Sequence, residues 1–356
     1  MSIYDYVKKY GDLTFDEKPF NDIDNLVFSE LAYLNYTDTS VNMSDHTIEY
    51  IAGEYFKLHT YLSVRKLGIA QRDAYLLLES VSKLNRYKKI IIHDYVYSTN
   101  KNKQFSAMMF RINDSLEYMC FEGTDELISG WKEDLYMTCV FPVPAQKDAI
   151  NYANKHIKIF GPNIIIGGHS KGGNLALVAG MYTKPLKQFR VLKVYNNDGP
   201  GLRLKEFKSG EYRRIKRKYM HIVPDSSRVG ILLRNDIFNV VKSSRNNIFG
   251  HAIATWQIDN DKLVPSTISE KSIEIAHKVE VWFTSHTDIE KEKIASQLFE
   301  SLEEANIKTY LDINDIQKLI KLIENIRNID DETKELIKSL LKETLLSFYL
   351  KLRRDE

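Results

Sequence analysis

Residues 163–180 read NIIIGGHSKGGNLALVAG, and the arrangement of the rest of the chain follows from how this stretch has to fold. Ile164, Ile165 and Ile166 are a short β-branched run without charge, which predicts a buried strand. Leu175, Ala176, Leu177, Ala179 and Gly180 are small or apolar and predict a tightly packed helix. Between them, Gly168-His169-Ser170-Lys171-Gly172 has the pattern G-x-S-x-G. A strand that turns at once into a helix holds the central residue at the apex of a strained bend with its side chain exposed. Gly168 and Gly172 flank the apex because a Cβ there would clash. The pattern alone is short, and the bland alternative is a turn that packs closely or holds a phosphate. The flanking strand and helix are the setting that a nucleophile elbow demands.

Outward from this stretch, strands and helices alternate. KKIIIHDYVYS, FSAMMFRI and SLEYMCFE read as successive strands separated by turn residues, and AQKDAINYANKHIKIF reads as a helix. Beyond the elbow helix, RVLKVYNN, KYMHIVP and DIFNVVKS read as further strands. This alternation predicts an α/β fold with a mostly parallel central sheet flanked by helices. Residues 1–85 read mostly helical, with Leu26, Val27, Glu30, Leu31 and Leu34 at helical spacing and a second stripe in GIAQRDAYLLLESVSKLNR. From Thr287 the texture becomes charged amphipathic helix. Thr287-Asp288-Ile289-Glu290 fits a capping box, and stripes follow at Ile316, Leu319, Ile320 and Ile323 and at Leu336, Ile337, Leu340, Leu341 and Leu345. The expected organisation is a catalytic unit over 1–287, including the helical segment 1–85, and a helical extension over 288–356.

Composition narrows the classes. Among 356 residues, 50 Lys and Arg balance 48 Asp and Glu for a net charge of +2, which argues against a general polyanion binder. Hydrophobic residues make up 43%, enough to build a core and too many for a disordered chain. The aromatics are spread along the chain, so no nucleic-acid stacking surface is expected. No apolar run has the length of a transmembrane helix. The opening MSIYDYVKKYGDLTFDEKPF lacks the apolar stretch of a secretory signal. With only Cys120 and Cys139, the expectation is a cytoplasmic protein with reduced thiols. No Walker loop, HExxH, metal-ligand cluster or dinucleotide fingerprint is present, so neither metal nor organic cofactor is expected.

A serine hydroxyl needs a base, and the base needs an orienting carboxylate. In α/β-hydrolases these follow the serine in the order acid, then histidine. His46, His59, His93 and His156 precede Ser170, and His169 lies inside the elbow, where it is expected to point away. His221 falls within a strand, His277 on a helical pattern and His286 at the start of the extension. His251, in the loop SSRNNIFGHAIATWQ, is therefore the expected base. For the acid, Asp198 in VYNNDGPGL and Asp225 in HIVPDSS each follow a strand on the serine's rim. The tight turn around Asp198 favours it, and Asp225 stays as the alternative. An oxyanion hole needs two N–H donors, one from Lys171 and one from a strand end such as Gly123-Thr124 in FEGTDELISGWKEDL.

These segments resemble known ones. FEGTDELISGWKEDL looks like the F-x-G-T…W…D-L stretch of class-three lipases, GGHSKGGNLA like their elbow, and HAIATWQ like their His-x-x-x-x-Trp region. In combination with the YDYVKKYGDLTFDEKPFNDIDNLVFSELAYL opening, the DGPG turn and the VKSS…H…W stretch, they resemble the Mbeg-like family of bacterial lipase-like α/β-hydrolases, over most of residues 1–285. The resemblance implies an α/β-hydrolase fold, Ser170 as nucleophile, His251 as base, and Thr124 and Lys171 as oxyanion donors. It favours Asp198 over Asp225, because the DGPG turn is a family feature. Only YMTCVFPVPAQK separates the oxyanion region from the helix before the elbow, which leaves little room for a long lid and points to small or amphiphilic esters. Residues 203–218 hold eight Lys and Arg against two Glu. Such a run is usually a solvated face, but Arg213, Arg214, Lys216, Arg217 and Lys218 near the rim could attract an anionic lipid. The expected function is ester hydrolysis. The alternatives are a phospholipase or thioesterase acting on an anionic amphiphile, and a non-catalytic binding protein on the same fold.

Overall fold

A computed structural model describes residues 1–42, 45–100, 103–124, 128–236, 238–307, 312, 316–325, 331, 333 and 334. Among them, eight strands form one sheet in chain order. They are β1 (His46–Thr47), β2 (Ile91–Asn100), β3 (Lys103–Asn113), β4 (Leu116–Phe121), β5 (Asn163–Gly168), β6 (Val191–Asn197), β7 (Tyr219–Pro224) and β8 (Asn239–Val241). Strands β1 to β4 pair antiparallel. From β4 to β8 every pairing is parallel. This is the mostly parallel sheet that the alternating pattern predicts, and the architecture is that of an α/β-hydrolase.

The sequential strand order decides where the helices go. Crossovers of one hand, all stepping in the same direction, put their helices on the same face. Helices Pro144–His156, Lys171–Tyr182 and Gly210–Ile215 accordingly share one core with Met119, Phe121, Ile164, Ile166 and Val194. Residues alternate across a strand, so Tyr118, Cys120, Ile165, Tyr195 and Ile222 point to the other face. That face is covered by the N-terminal helices Ile3–Tyr10, Asp22–Leu31, Ile48–Leu58 and Ile69–Val81. The N-terminal helices are thus the second layer of the sandwich. Arg86 pins this layer. Its guanidinium is fully buried, donates to both carboxylate oxygens of Asp24 at 2.8 and 2.6 Å, and reaches the carbonyls of Thr14 and Lys18. A forked, fully satisfied pair of this kind can be buried without a stranded charge.

Some expectations are corrected. Helix Asp22–Leu31 buries every residue from Ile23 to Leu31, Glu30 included, where the spacing predicts one apolar stripe. It lies between the sheet and the outer helices and is covered all round. Burial accordingly pushes the Glu30 carboxyl well above the ordinary carboxylate range. Within DIFNVVKS only Asn239–Val241 pairs with β7, as the sheet's last strand. In helix Ile316–Asn325, Ile320 of the expected stripe is exposed, while Leu322, outside it, is buried. The Leu336–Leu345 stripe lies outside the described residues. The capping box at Thr287 forms in helix Asp288–Glu304, which docks on helix Ile128–Tyr136 through Tyr136 Oη and Ser296 Oγ at 2.7 Å. Among the described residues, no helix is long and apolar enough to cross a membrane.

The basic run is also relocated. Arg213 and Arg214 close helix Gly210–Ile215, and Lys216, Arg217 and Lys218 lead into the first residue of β7. Ser170 lies two residues past the end of β5, which runs parallel to β7. The cluster 213–218 therefore sits at the opposite end of the sheet from the elbow, away from the rim on which it was expected.

Candidate active site

The parallel register brings three strand ends level. Phe121 of β4 pairs with Gly168 of β5, a further bridge joins His169 to Asn197 at the end of β6, and Asn197 pairs with Ile222 of β7. Glu122-Gly123-Thr124, His169-Ser170 and Asp198 therefore leave the sheet side by side. Ser170 has φ 56° and ψ −130°, the positive-φ apex that the elbow reading requires. Its N–H donates to the Asn197 carbonyl at 2.9 Å, and helix Lys171–Tyr182 starts at the next residue. The first N–H groups of a helix have no intrahelical acceptor, which leaves the Lys171 N–H free to serve a ligand anion. A Cβ on Gly172 would lie 2.2 Å from the Phe121 carbonyl, and one on Gly168 would lie 2.6 Å from the same oxygen. Both glycines are needed because the elbow packs against the β4 turn.

Asp198 is fully buried and, like Ser170, adopts a positive φ of 52°. One carboxylate oxygen accepts from Ser227 Oγ at 2.5 Å and from the Gly230 N–H at 3.1 Å. The other lies 2.7 Å from His251 Nδ1. His251 is in a 3-10 turn, Ile248–His251, after β8, and its side chain is partly exposed. Asp225 is tied up elsewhere. Its oxygens accept from Ser266 Oγ at 3.0 Å and the Ser243 N–H at 3.3 Å, contacts that hold the loops flanking β8. Of the two candidate acids, Asp198 is the one bonded to His251.

His169 is bonded through both ring nitrogens. Its Nε2 lies 2.8 Å from the His251 carbonyl oxygen, and its Nδ1 lies 2.7 Å from Tyr33 Oη. A carbonyl only accepts, so Nε2 carries the hydrogen and Nδ1 accepts from the tyrosine hydroxyl. Burial, with His251 adjacent, holds the His169 pKa well below its ordinary value, so the ring stays neutral. The two imidazoles lie 4.4 Å apart between centroids. His169 therefore ties the elbow to the loop carrying His251, and Tyr33 from the N-terminal layer ties down His169. A Cβ on Gly123 would lie 2.0 Å from Tyr33 Oη and 2.6 Å from the His169 carbonyl. Only glycine lets the Thr124 turn come this close to the elbow.

Two neighbouring acids on helix Ile128–Tyr136 hold the residues expected as oxyanion donors. Asp134 accepts from Thr124 Oγ1 at 2.6 Å. Burial pushes its carboxyl up to about 6, with Lys171 and Thr124 opposing. Glu133 accepts from the fully buried Lys171 Nζ at 3.4 Å and from the Ala145 N–H at 2.7 Å, and Lys171 also donates to the Gln104 carbonyl at 2.9 Å. Beneath the elbow, Asn25 and Asn197 exchange amide hydrogen bonds at 2.9 and 3.1 Å, and Asn197 also donates to the Gly168 carbonyl. Sequence reading missed Tyr33, Ser227, Gly230 and Asn25 as parts of this region, and gave no role to His169 inside the elbow or to Glu133 in the W…D-L stretch. Asp134 lay inside the quoted W…D-L stretch without a role. Among the described residues, no group of His, Cys, Asp and Glu has the geometry to hold a metal ion.

A model of the Mbeg1-like family matches residues 81–300, and the chain belongs to that family. No curated protein matches it. Among solved structures it is similar to the crystal structure of M37 lipase at 14% identity, with a TM-score of 0.36, over 60% of this chain and 70% of that one.

Proposed function

We propose that this protein is a serine hydrolase that cleaves small or amphiphilic carboxylic esters through an acyl-enzyme. The observation that supports it is the 2.7 Å contact between Asp198 and His251, made at the margin where the elbow presents Ser170. In this reading Ser170 Oγ attacks the ester carbonyl and passes its proton to His251 Nε2. Asp198 keeps the other proton on Nδ1 and stabilises the imidazolium as it forms. The N–H groups of Thr124 and Lys171 receive the charge that develops on the carbonyl oxygen, a donor pair whose members are each worth about 3–4 kcal/mol in the transition state. His251 then returns the proton to the leaving alcohol, and water repeats the sequence on the acyl-enzyme. No metal or organic cofactor is called for. Both cysteines are free and buried, which fits a reducing compartment such as the cytoplasm.

The same machinery would act on a thioester or on the acyl ester of a phospholipid. Arg203, Lys205 and Lys208, which follow β6 at the elbow's end of the sheet, favour an anionic amphiphile; Arg213 to Lys218 do not, since they lie at the other end. The test is labelling by a fluorophosphonate probe together with turnover of p-nitrophenyl esters. Ser170 should be labelled, and Ser170→Ala should lose labelling and turnover together. A wild-type protein that neither reacts with the probe nor cleaves any ester would leave the non-catalytic reading standing.

A further inference from the structure

A cavity of about 940 Å³ opens at the elbow's end of the sheet, and Ser170 is not among its lining residues. One wall is the segment 231–234, which pairs antiparallel with Leu202 through mutual backbone bonds at 3.0 and 2.8 Å. This wall begins one residue after Gly230, whose N–H holds Asp198. The facing wall is helix Glu270–Ser285, with Ile273, Ala276, Val279 and Phe283 turned to the cavity. Leu202, Ile231 and Phe238 complete a lining that is mostly apolar. Apolar walls around this volume, within the roughly 300–1,000 Å³ of ordinary ligand pockets, suit a hydrocarbon chain.

The charges around the cavity are uneven. Arg203, Lys205, Lys208, Arg234 and Lys291 line it against Glu280 and Asp288. Arg203 is forked onto Glu206, Arg234 is paired with Glu280 at 2.5 Å, and Lys291 with Asp288 at 3.2 Å. Lys205 and Lys208 have no carboxylate within ion-pair distance among the described residues. Two available ammonium groups beside an apolar cavity call for a single anionic head on a chain. Both lining arginines are already engaged, so no guanidinium fork is on offer and an anionic head meets two ammonium point charges. We propose that this cavity is a binding site for a long-chain carboxylate. The chain lies between helix Glu270–Ser285 and the 231–234 wall, and the head meets Lys205 and Lys208. The site goes beyond the ester-hydrolase reading and does not need Ser170 to be reactive.

Binding is read directly by the fluorescence of cis-parinaric acid, a long-chain carboxylate, titrated into the full-length protein. Saturable binding should appear below about 100 µM, and Ala276→Trp, which fills the cavity, should weaken it at least about tenfold. Ile273→Glu, at an exposed helix position where folding is tolerated, should do the same by placing a negative charge beside the chain. Lys205→Glu with Lys208→Glu should weaken the carboxylate but not a long-chain alcohol measured by displacement. Lysophosphatidate should compete less well than palmitate. No saturable binding, unchanged affinity in both cavity variants, or an alcohol that binds as well as the acid would overturn the proposal. So would stronger competition by the phosphate head, or a dimer in sedimentation that dissociates in Ala276→Trp. Hydrolysis of p-nitrophenyl acetate, followed in parallel, shows whether the catalytic reading stands or falls separately.

Discussion

An asparagine at position 198 would enter a socket with three donors already aimed at it: Ser227 Oγ and the Gly230 N–H at one oxygen, His251 Nδ1 at the other. A backbone N–H cannot turn round, so Gly230 keeps the amide oxygen on its own side and sends the NH₂ toward His251. Two donors cannot share a 2.7 Å contact, and the imidazole must move its proton to Nε2 so that Nδ1 can accept. Nε2 then carries a hydrogen where the proposed mechanism has it receive the one from Ser170. A wrong tautomer in such a triad costs about 10⁴ in kcat, or about 5 kcal/mol of transition-state stabilisation. The assay is kcat on p-nitrophenyl butyrate for Asp198→Asn beside Asp225→Asn. Asp225 only braces the loops around β8, so its variant should stay within about threefold of wild type. A loss below about tenfold for Asp198→Asn, or an equal loss for both variants, would refute the tautomer argument.

Tyr33→Phe removes the hydroxyl that donates to His169 Nδ1 and leaves a buried acceptor unmet. Urea denaturation should show a loss of about 1–3 kcal/mol, and no change in midpoint would mean that water replaces the hydroxyl. Lys171→Met alone strands Glu133, and Glu133→Leu alone strands Lys171. Each should cost about 3–5 kcal/mol while the double variant recovers much of it, so additive losses in the cycle would show that the two charges do not depend on each other. Asp134 titrates near 6 in the folded protein and near 4 when unfolded. The folded state therefore holds the extra proton between these values, and this carboxyl's contribution falls as pH rises through that window. Displacement of that size is worth at most about 3 kcal/mol. The Tm of Asp134→Asn should accordingly decline less than that of wild type between about pH 4 and about pH 7, and parallel declines would contradict the raised pKa.

The line of residues that leaves the sheet was legible because it is written in local grammar. An apolar strand running into Gly168-His169-Ser170-Lys171-Gly172, a DGPG turn after the next strand and a histidine in the loop beyond the last one are each visible within a dozen residues. What holds these groups was not legible, because its partners are far apart in the chain and chemically ordinary. Tyr33 is one of 21 tyrosines, and it meets His169 across 136 positions. Asn25 meets Asn197 across 172. Ser227 and Gly230 lie within five residues of Asp225 in the sequence and serve Asp198, 29 and 32 positions away. His169 was expected only to point away from the serine, because an elbow fixes the direction of the serine, while its neighbour's partner comes from the loop after β8. The helix Asp22–Leu31 misled for a related reason: periodicity reports one covered side, and a helix enclosed on all sides has no period to report.

The single-file order of the parallel strands has a consequence for synthesis. The helices made first rest on β3 and β4 through Phe110, Tyr118 and Cys120, but their core closes only when β5, β6 and β7 exist, since it also includes Ile165, Tyr195 and Ile222. Lys18 finds Asp261 only after 243 more residues have been joined. Contacts of such separation slow folding and leave greasy surface uncovered meanwhile. A ribosome-bound chain halted before residue 160 should therefore leave the N-terminal layer only partly covered and open to chaperones and proteases, and gain full protection only once the elbow and the strands after it have emerged.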